Sequence, residues 1–256
     1  MNDSEQYRQR RAFFDRVLTV YGRKPVLEVL QDPALECHQL HLAQSNREHG
    51  IIAQIRELAQ RRAVPLQIHA RDALARISRN GRQDQGVAID VLCPAFQAVE
   101  NALPALPAAA RLLALDGITN PQNLGMIIRS AAAGNIDGIL YARRGNAALG
   151  PLVIKASAGT VYKAPLIMCD KLPEALALCR AAGMAICALS AAARQSLFAH
   201  RHREGSVYVL GNETAGVSSA VQSLSTHQLS IPMRNGVESL NVAVTASLIA
   251  YAGQLG

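Results

Sequence analysis

A chain of 256 residues, half of them hydrophobic and 18% charged, holds enough apolar material for one large or two modest cores, which excludes a disordered or fibrous protein. Its 26 basic against 19 acidic side chains leave a formal charge of +7, a balance that points to a polyanionic partner such as nucleic acid. With 6 Tyr, 4 Phe and no Trp, recognition built on stacked bases is less expected than contacts to phosphate and ribose.

Residues 1–19 form an N-terminal arm that opens "MNDSEQYRQRRAFFDR", with no apolar run long enough for a signal peptide. Its Arg-rich part reads equally as a helix that contacts RNA and as a solvated arm. No later segment offers about 18 to 20 consecutive apolar residues, so the expected location is the cytoplasm, without membrane contact. The positive excess is spread along the chain: residues 1–110 carry 14 basic and 12 acidic side chains, net +2, and residues 111–256 carry 12 and 7, net +5.

Over residues 20–93, the strand patterns "CHQLHLA", "VPLQIHA" and "GVAIDVLC" alternate with helical stretches near 25–31, 47–62 and 71–78, which predicts a small α/β domain. Pro25 suits the first turn of its helix. The stretch 94–110, "PAFQAVENALPALPAAA", interrupts both strand and helix periods with three prolines and is expected to be a linker. The five cysteines, Cys37, Cys93, Cys169, Cys179 and Cys187, show no CxxC or other ligand spacing, so they are expected as buried, reduced thiols and no metal site is expected.

From residue 111 to 256 the apolar runs "RLLALD", "DGILYA", "APLIMC", "MAICALS", "SVYVLG" and "HQLSIP" recur with helical segments between most of them. That alternation predicts a mainly parallel sheet covered by helices, with ligands at loops beyond the carboxyl ends of the strands. Neither GxGxxG nor GxxxxGK occurs, so a classical dinucleotide fold and a P-loop are excluded.

Three loops stand out instead: "NPQNLGMIIRSAAAGN", "VLGNETAGVS" (209–218) and "IPMRNGVESLNVAVTASLIAY" (231–251). In this order and spacing they closely resemble the SpoU (TrmH-type) family of RNA ribose 2′-O-methyltransferases, of the SPOUT class, over nearly all of residues 111–252. Upstream, "VYGRKPVLEVLQ" and "RNGRQDQGVAIDV" are similar to the ribosomal-protein-like substrate-binding domain that precedes the catalytic domain in the ribosomal-RNA branch.

The resemblance implies an α/β knot domain with a C-terminal trefoil knot, an exception to the rule against threaded loops. It also implies transfer of a methyl group from S-adenosyl-L-methionine, without a metal, to a ribose 2′-hydroxyl of structured RNA, most simply ribosomal RNA. Transfer to tRNA, or a non-catalytic RNA-binding or ribosome-assembly role, are the alternatives. The family's motifs map the catalytic set onto Asn123, Arg129, Glu213, Ser239 and Asn241, and backbone contacts to the methyl donor onto Gly211, Ile231 and Leu240, with Ser239 in the same loop. The resemblance further implies a homodimer formed through the C-terminal helix, with Arg129 of one chain completing a pocket of the other.

Taken alone, each residue has a plainer reading. Asn120 and Pro121 suit an ordinary turn, Arg129 could pair with a carboxylate, Glu213 could be a solvated loop charge, and Ser239 is a good N-cap for the helix that follows it. Asn241 would lie in the first turn of an apolar helix, where Asn is a poor choice unless its side chain has a partner. Arg143 and Arg144 could grip phosphate or sit solvated in their loop. Arg23 and Lys24 are the basic residues of the N-terminal motif expected to meet RNA.

Overall fold

The computed structural model describes residues 12–200 and 204–252. The chain divides into two compact units: the first runs to Pro94 and takes in Leu149–Pro151, and the second begins at Ala95.

Among the described residues, the first unit holds a four-stranded sheet with three helices between its strands, and residues 12–15 before it are helical as well. Its elements are β1 (Val17–Tyr21), α1 (Arg23–Gln31), β2 (Glu36–Ala43), α2 (Ile51–Arg61), β3 (Leu66–His69), α3 (Arg71–Ser78) and β4 (Val87–Leu92). The sheet order is β1-β4-β2-β3, with β4 antiparallel to both neighbours and β2 parallel to β3. Helix α1 buries Val26, Val29 and Leu30, the i, i+3, i+4 stripe of an amphipathic helix. Its end is held by the Arg62 guanidinium, which donates to the carbonyls of Val29, Leu30 and Asp32 at 3.1, 3.0 and 2.9 Å. Helix α2 starts at Ile51, later than the stretch 47–62 predicts, because Gly50 at φ 59° precedes it in the left-handed region.

One polar side chain from each strand of this sheet joins a continuous row. Thr19 Oγ1 donates to Asp90 Oδ1 at 2.6 Å, Asp90 Oδ2 lies 3.1 Å from His41 Nε2, and His41 Nδ1 lies 2.9 Å from His69 Nε2. His41 and Asp90 are both buried, and a buried polar group costs little only when it is hydrogen-bonded in this way.

The second unit holds β5 (Gln97–Ala98), α4 (Val99–Ala102), β6 (Arg111–Leu115), α5 (Pro121–Ala133), β7 (Gly138–Ala142), α6 (Pro151–Ala156), β8 (Leu166–Cys169), α7 (Leu172–Ala181), β9 (Ala185–Leu189), β10 (Gln195–Ser196), β11 (Ser206–Leu210), α8 (Ser219–Gln222), β12 (His227–Ser230) and α9 (Val242–Tyr251). Its eight strands run in the order β10-β12-β9-β11-β6-β7-β8-β5, and every neighbouring pair is parallel. All six apolar runs of this half are strands. Strands β7 and β11 are buried along their whole length, as expected for a parallel sheet covered on both faces. Leu112, Ala114, Leu140, Val207 and Val209 pack with Leu176 and Cys179 of α7 in one core cluster.

Three expectations need correction. The stretch 94–110 is not a bare linker: Gln97 and Ala98 pair with Ile167 and Met168 at the sheet edge, and Val99 and Ala102 are buried against the core. The arm does not extend to residue 19, since Val17–Tyr21 is a sheet strand paired with β4; residues 1–11 of the arm lie outside the described residues. Four of the cysteines are buried, whereas Cys37 is only half-buried. Burial pushes the Cys93, Cys169 and Cys187 thiols up to about 12 and Cys179 to about 11, so these four are protonated and unreactive at neutral pH.

Candidate active site

Strands β6 and β11 lie side by side where the two halves of the large sheet meet, and the loops at their carboxyl ends are the place where such a sheet binds ligands. The β6 loop leads into α5. Asn120 is the N-cap of that helix, its Oδ1 accepting from Gln122 N at 2.9 Å and Asn123 N at 3.4 Å, with Pro121 at the first helical position. Asn123 is thereby fixed in the first turn.

From that turn a chain of hydrogen bonds links three loops that are far apart in sequence. Asn123 Nδ2 donates to Glu213 Oε1 at 2.6 Å, and Asn241 Nδ2 donates to Asn123 Oδ1 at 3.2 Å. Asn241 Oδ1 accepts from Ala243 N at 2.8 Å, so Asn241 is the N-cap of α9. This corrects the reading of Ser239 as that cap: the helix starts at Val242, and Ser239 lies exposed two residues before the cap. It also supplies the partner that Asn241 required.

Arg129 stands apart from this chain. Six residues on from Asn123, it lies about 240° around and about 9 Å along the helix. It shares the exposed stripe of Gln122, Met126 and Ala133, and its side chain makes no hydrogen bond or ion pair among the described residues. Its charge therefore disturbs no core. Helix α9 lies beside α5, with Ser247 Oγ donating to Ser130 Oγ at 2.9 Å and Tyr251 OH to Ala133 O at 3.1 Å. Met126, Val244 and Tyr251 are 46%, 45% and 38% exposed, so this helix pair presents apolar side chains to its surroundings.

The donor-loop residues divide. Gly211 and Ile231 are half-buried, and Ser239 and Leu240 are exposed. A Cβ on Gly211 would lie 2.2 Å from Gly216 C and 2.3 Å from Val217 N, because the loop folds back in an Asn212–Gly216 bridge. Between 231 and 240 the only backbone–backbone bond among the described residues runs from Val237 N to Arg234 O, which leaves the other N–H and C=O groups of the loop available to a ligand.

Arg143 and Arg144 are exposed in the loop after β7, and Arg143 N donates to Cys169 O at 2.9 Å. Arg23 is occupied within its own unit, its Nε donating to Gln85 O at 3.4 Å and a terminal nitrogen to Asn46 Oδ1 at 3.2 Å, whereas Lys24 is exposed. Among the described residues no group of three or more His, Cys, Asp or Glu could hold a metal ion, and no helix is long and apolar enough to cross a membrane.

Asn212, Asn146 and Asp116 also shape these loops, though no motif singles them out. Asn146 Oδ1 accepts from Ile118 N at 2.7 Å while its Nδ2 donates to the carbonyls of Leu115 and Ala142, both at 3.1 Å, which ties the ends of β6 and β7 together. Their signal is only that of Asn or Asp just past an apolar strand.

Residues 110–251 match the model of the SpoU rRNA Methylase family, and residues 19–92 match that of the RNA 2′-O ribose methyltransferase substrate-binding domain. Relatives from Mycolicibacterium vanbaalenii and Mycolicibacterium smegmatis, both named as uncharacterized tRNA/rRNA methyltransferases, are each 30% identical, over 90% and 92% of this chain and 74% and 75% of their own. Among solved structures, the SpoU methyltransferase AviRb of Streptomyces viridochromogenes in complex with AdoMet is 23% identical with a TM-score of 0.62, covering 98% of this chain and 92% of its own. An AdoMet-bound rRNA methyltransferase of Sinorhizobium meliloti, 19% identical over 98% and 90%, has a TM-score of 0.64. Both have the fold of this chain.

Proposed function

The chain belongs to the SpoU rRNA methylase family, and on that premise we propose that it transfers a methyl group from S-adenosyl-L-methionine to a ribose 2′-hydroxyl of ribosomal RNA, as a cytoplasmic homodimer. The observation that carries this reading is the chain Glu213–Asn123–Asn241, which joins three motif loops at the sheet's carboxyl edge. A module that only bound RNA would have no need of that convergence.

The loops fit the donor. Segment 231–240 offers unpaired backbone groups, and Ile231 and Leu240 flank it; a bent ligand with an adenine edge can be read by N–H and C=O groups alone. S-adenosylmethionine, when bound, supplies a sulfonium methyl that is already a strong electrophile. The residues must therefore align the ribose oxygen and stabilise negative charge as it develops there. Glu213 fixes Asn123, Asn241 links that pair to the start of α9, and Ser239 borders the donor loop.

Arg129 points away from this chain of bonds and lies on an exposed, partly apolar face. It serves the site of a partner copy, where its guanidinium binds the target phosphate or 2′-oxygen and stabilises alkoxide character. As the 2′-oxygen–carbon bond forms, the C–S electron pair would stay on the donor's sulfur, leaving a neutral thioether, and the 2′-hydroxyl proton would pass to solvent water. A guanidinium, a planar cation with five donors and no acceptor, suits this charge-stabilising role better than that of a resting base.

Arg129→Ala is expected to keep donor affinity and dimerisation but lose roughly 10² to 10³ in single-turnover transfer, the scale for one preorganised electrostatic donor. Arg129→Lys should rescue little, since Lys lacks the planar fork. Heterodimers of Arg129→Ala and Asn241→Ala chains, purified through two tags, should regain about half of wild-type activity, because one of two symmetric sites is whole. Heterodimers as inactive as either parent would show that Arg129 acts in its own chain, and near wild-type rates for Arg129→Ala would remove it from the mechanism. Mapping 2′-O-methyl positions in RNA from cells with and without the gene tests the substrate: loss from tRNA alone would refute the ribosomal assignment.

A further inference from the structure

We infer that Asn212 is a positioning residue that acts through Glu213, and through it on Asn123 and Asn241; its catalytic consequence rests on the methyl-transfer reading above. Glu213 is exposed, and the contact that fixes its carboxylate is Asn123 Nδ2 at 2.6 Å. Its position is set by the loop that carries it, and that loop is clamped from both ends to the segment just past β6.

Asn212 makes the first clamp with every polar group it has. Its backbone N and O both bond to Gly216, each at 2.9 Å. Its Oδ1 accepts from Thr214 N at 2.9 Å and Ala215 N at 3.1 Å, closing the turn around Glu213. Its Nδ2 donates to Gly117 O at 2.8 Å. The second clamp is Asp116, whose Oδ2 accepts from Ser218 N at 2.6 Å. Glu213 is thus held between two anchors that share one origin, Asp116–Gly117.

Only a carboxamide satisfies these demands, because the oxygen must accept from two backbone N–H groups while the nitrogen donates to a carbonyl. Aspartate would reproduce the turn but set a carboxylate against Gly117 O. Alanine would keep neither contact. The effect of losing Asn212 should therefore be felt at Glu213 and be absent where Glu213 is already gone.

Two measurements on the full-length protein test this. The first follows the side-chain amide resonances of Asn123, assigned by their loss in Asn123→Ser, in the wild type, Asn212→Ala, Asn212→Asp and Glu213→Ala. Asn212→Ala should move them to nearly the position seen in Glu213→Ala, and Asn212→Asp, which keeps the turn, should move them part of the way. The second is single-turnover transfer at saturating donor and RNA. Asn212→Ala should slow it about tenfold in the wild type but less than about twofold in a Glu213→Ala background, the non-additivity of residues that act as a unit.

Equal losses in both backgrounds, or Asn123 resonances unmoved by Asn212→Ala and Asn212→Asp but moved by Glu213→Ala, would overturn the inference. If Asn212→Ala fails to fold, Asn212→Asp carries both measurements. Resonances that move as expected in a protein that transfers no methyl to RNA would support the positioning and refute the functional reading instead.

Discussion

Gly211 illustrates what one missing side chain does at this site. The space a Cβ would fill is occupied by the backbone of Gly216 and Val217, which cannot swing aside as a side chain could. The glycine is required for the loop to close on itself, and on the function proposed above the donor would benefit only through that closure. Gly211→Ala should therefore lose donor affinity as completely as Gly211→Val in calorimetric titration, because the collision is at the Cβ they share. A loss that grows with side-chain volume would instead mean that the ligand needs the space. Asn123, Glu213 and Asn241 were legible through the family resemblance, whose motifs carry them, whereas the residues alone allowed plainer readings and only Asn241 called for a partner by its place in an apolar helix. Asn212 and Asn146 were not legible, because a lone loop asparagine carries no period, and its worth depends on which carbonyl lies within reach. The cap of α9 was placed two residues early for a related reason: Ser239 and Asn241 are both good caps, and local propensity does not choose between them.

At the scale of elements, most strands of four or more residues could be read, whether buried throughout, as β7 and β11 are, or largely exposed, as β3 and β12 are. Strands β5 and β10, two residues each, are below the length at which alternation can be seen, and β5 was further hidden among prolines. The polar row across β1, β4, β2 and β3 makes the first unit sensitive to acid. Burial and the nearby His41 hold the His69 imidazole below its ordinary value. Burial tends to raise the Asp90 carboxyl, but the hydrogen bonds from His41 and Thr19, with the charge of His41 and His38, bring it below the usual carboxylate value. In both cases the folded state binds fewer protons than the unfolded one, so both contributions shrink on acidification. That of His69 fades as pH falls below about 6.5, and that of Asp90 as pH falls below about 3.9 and on through its lower folded value. Calorimetric melting should show the wild type losing more thermal stability between pH 7.5 and 5 than a His69→Gln variant. Parallel losses would mean that His69 is not the group responsible.

For the whole molecule, the +7 charge and the scarcity of aromatics make RNA affinity a matter of phosphates. The logarithm of the binding constant should fall linearly with that of salt concentration, with a slope of about −0.7 for each phosphate neutralised on single-stranded RNA. Because the chain divides at Pro94, removing residues 1–93 should weaken RNA binding and leave donor binding nearly intact; equal loss of both would show that the second unit does not stand alone. The order of strands in the large sheet bears on something quite different, the birth of the protein on the ribosome. Strand β11 fills the gap between β6 and β9, so a nascent chain that ends before Ser206 holds one four-stranded fragment, β6-β7-β8-β5, with a raw β6 edge, and leaves β9 and β10 without their strand partners, the kind of surface that recruits other chains. Stalled or truncated synthesis in that window should yield a product prone to aggregate, and release from the hazard comes only when β11 and then β12 have been made. Two of the three loops joined in the candidate site, those of Glu213 and Asn241, lie beyond that point, so the arrangement is complete only after most of the chain has been made.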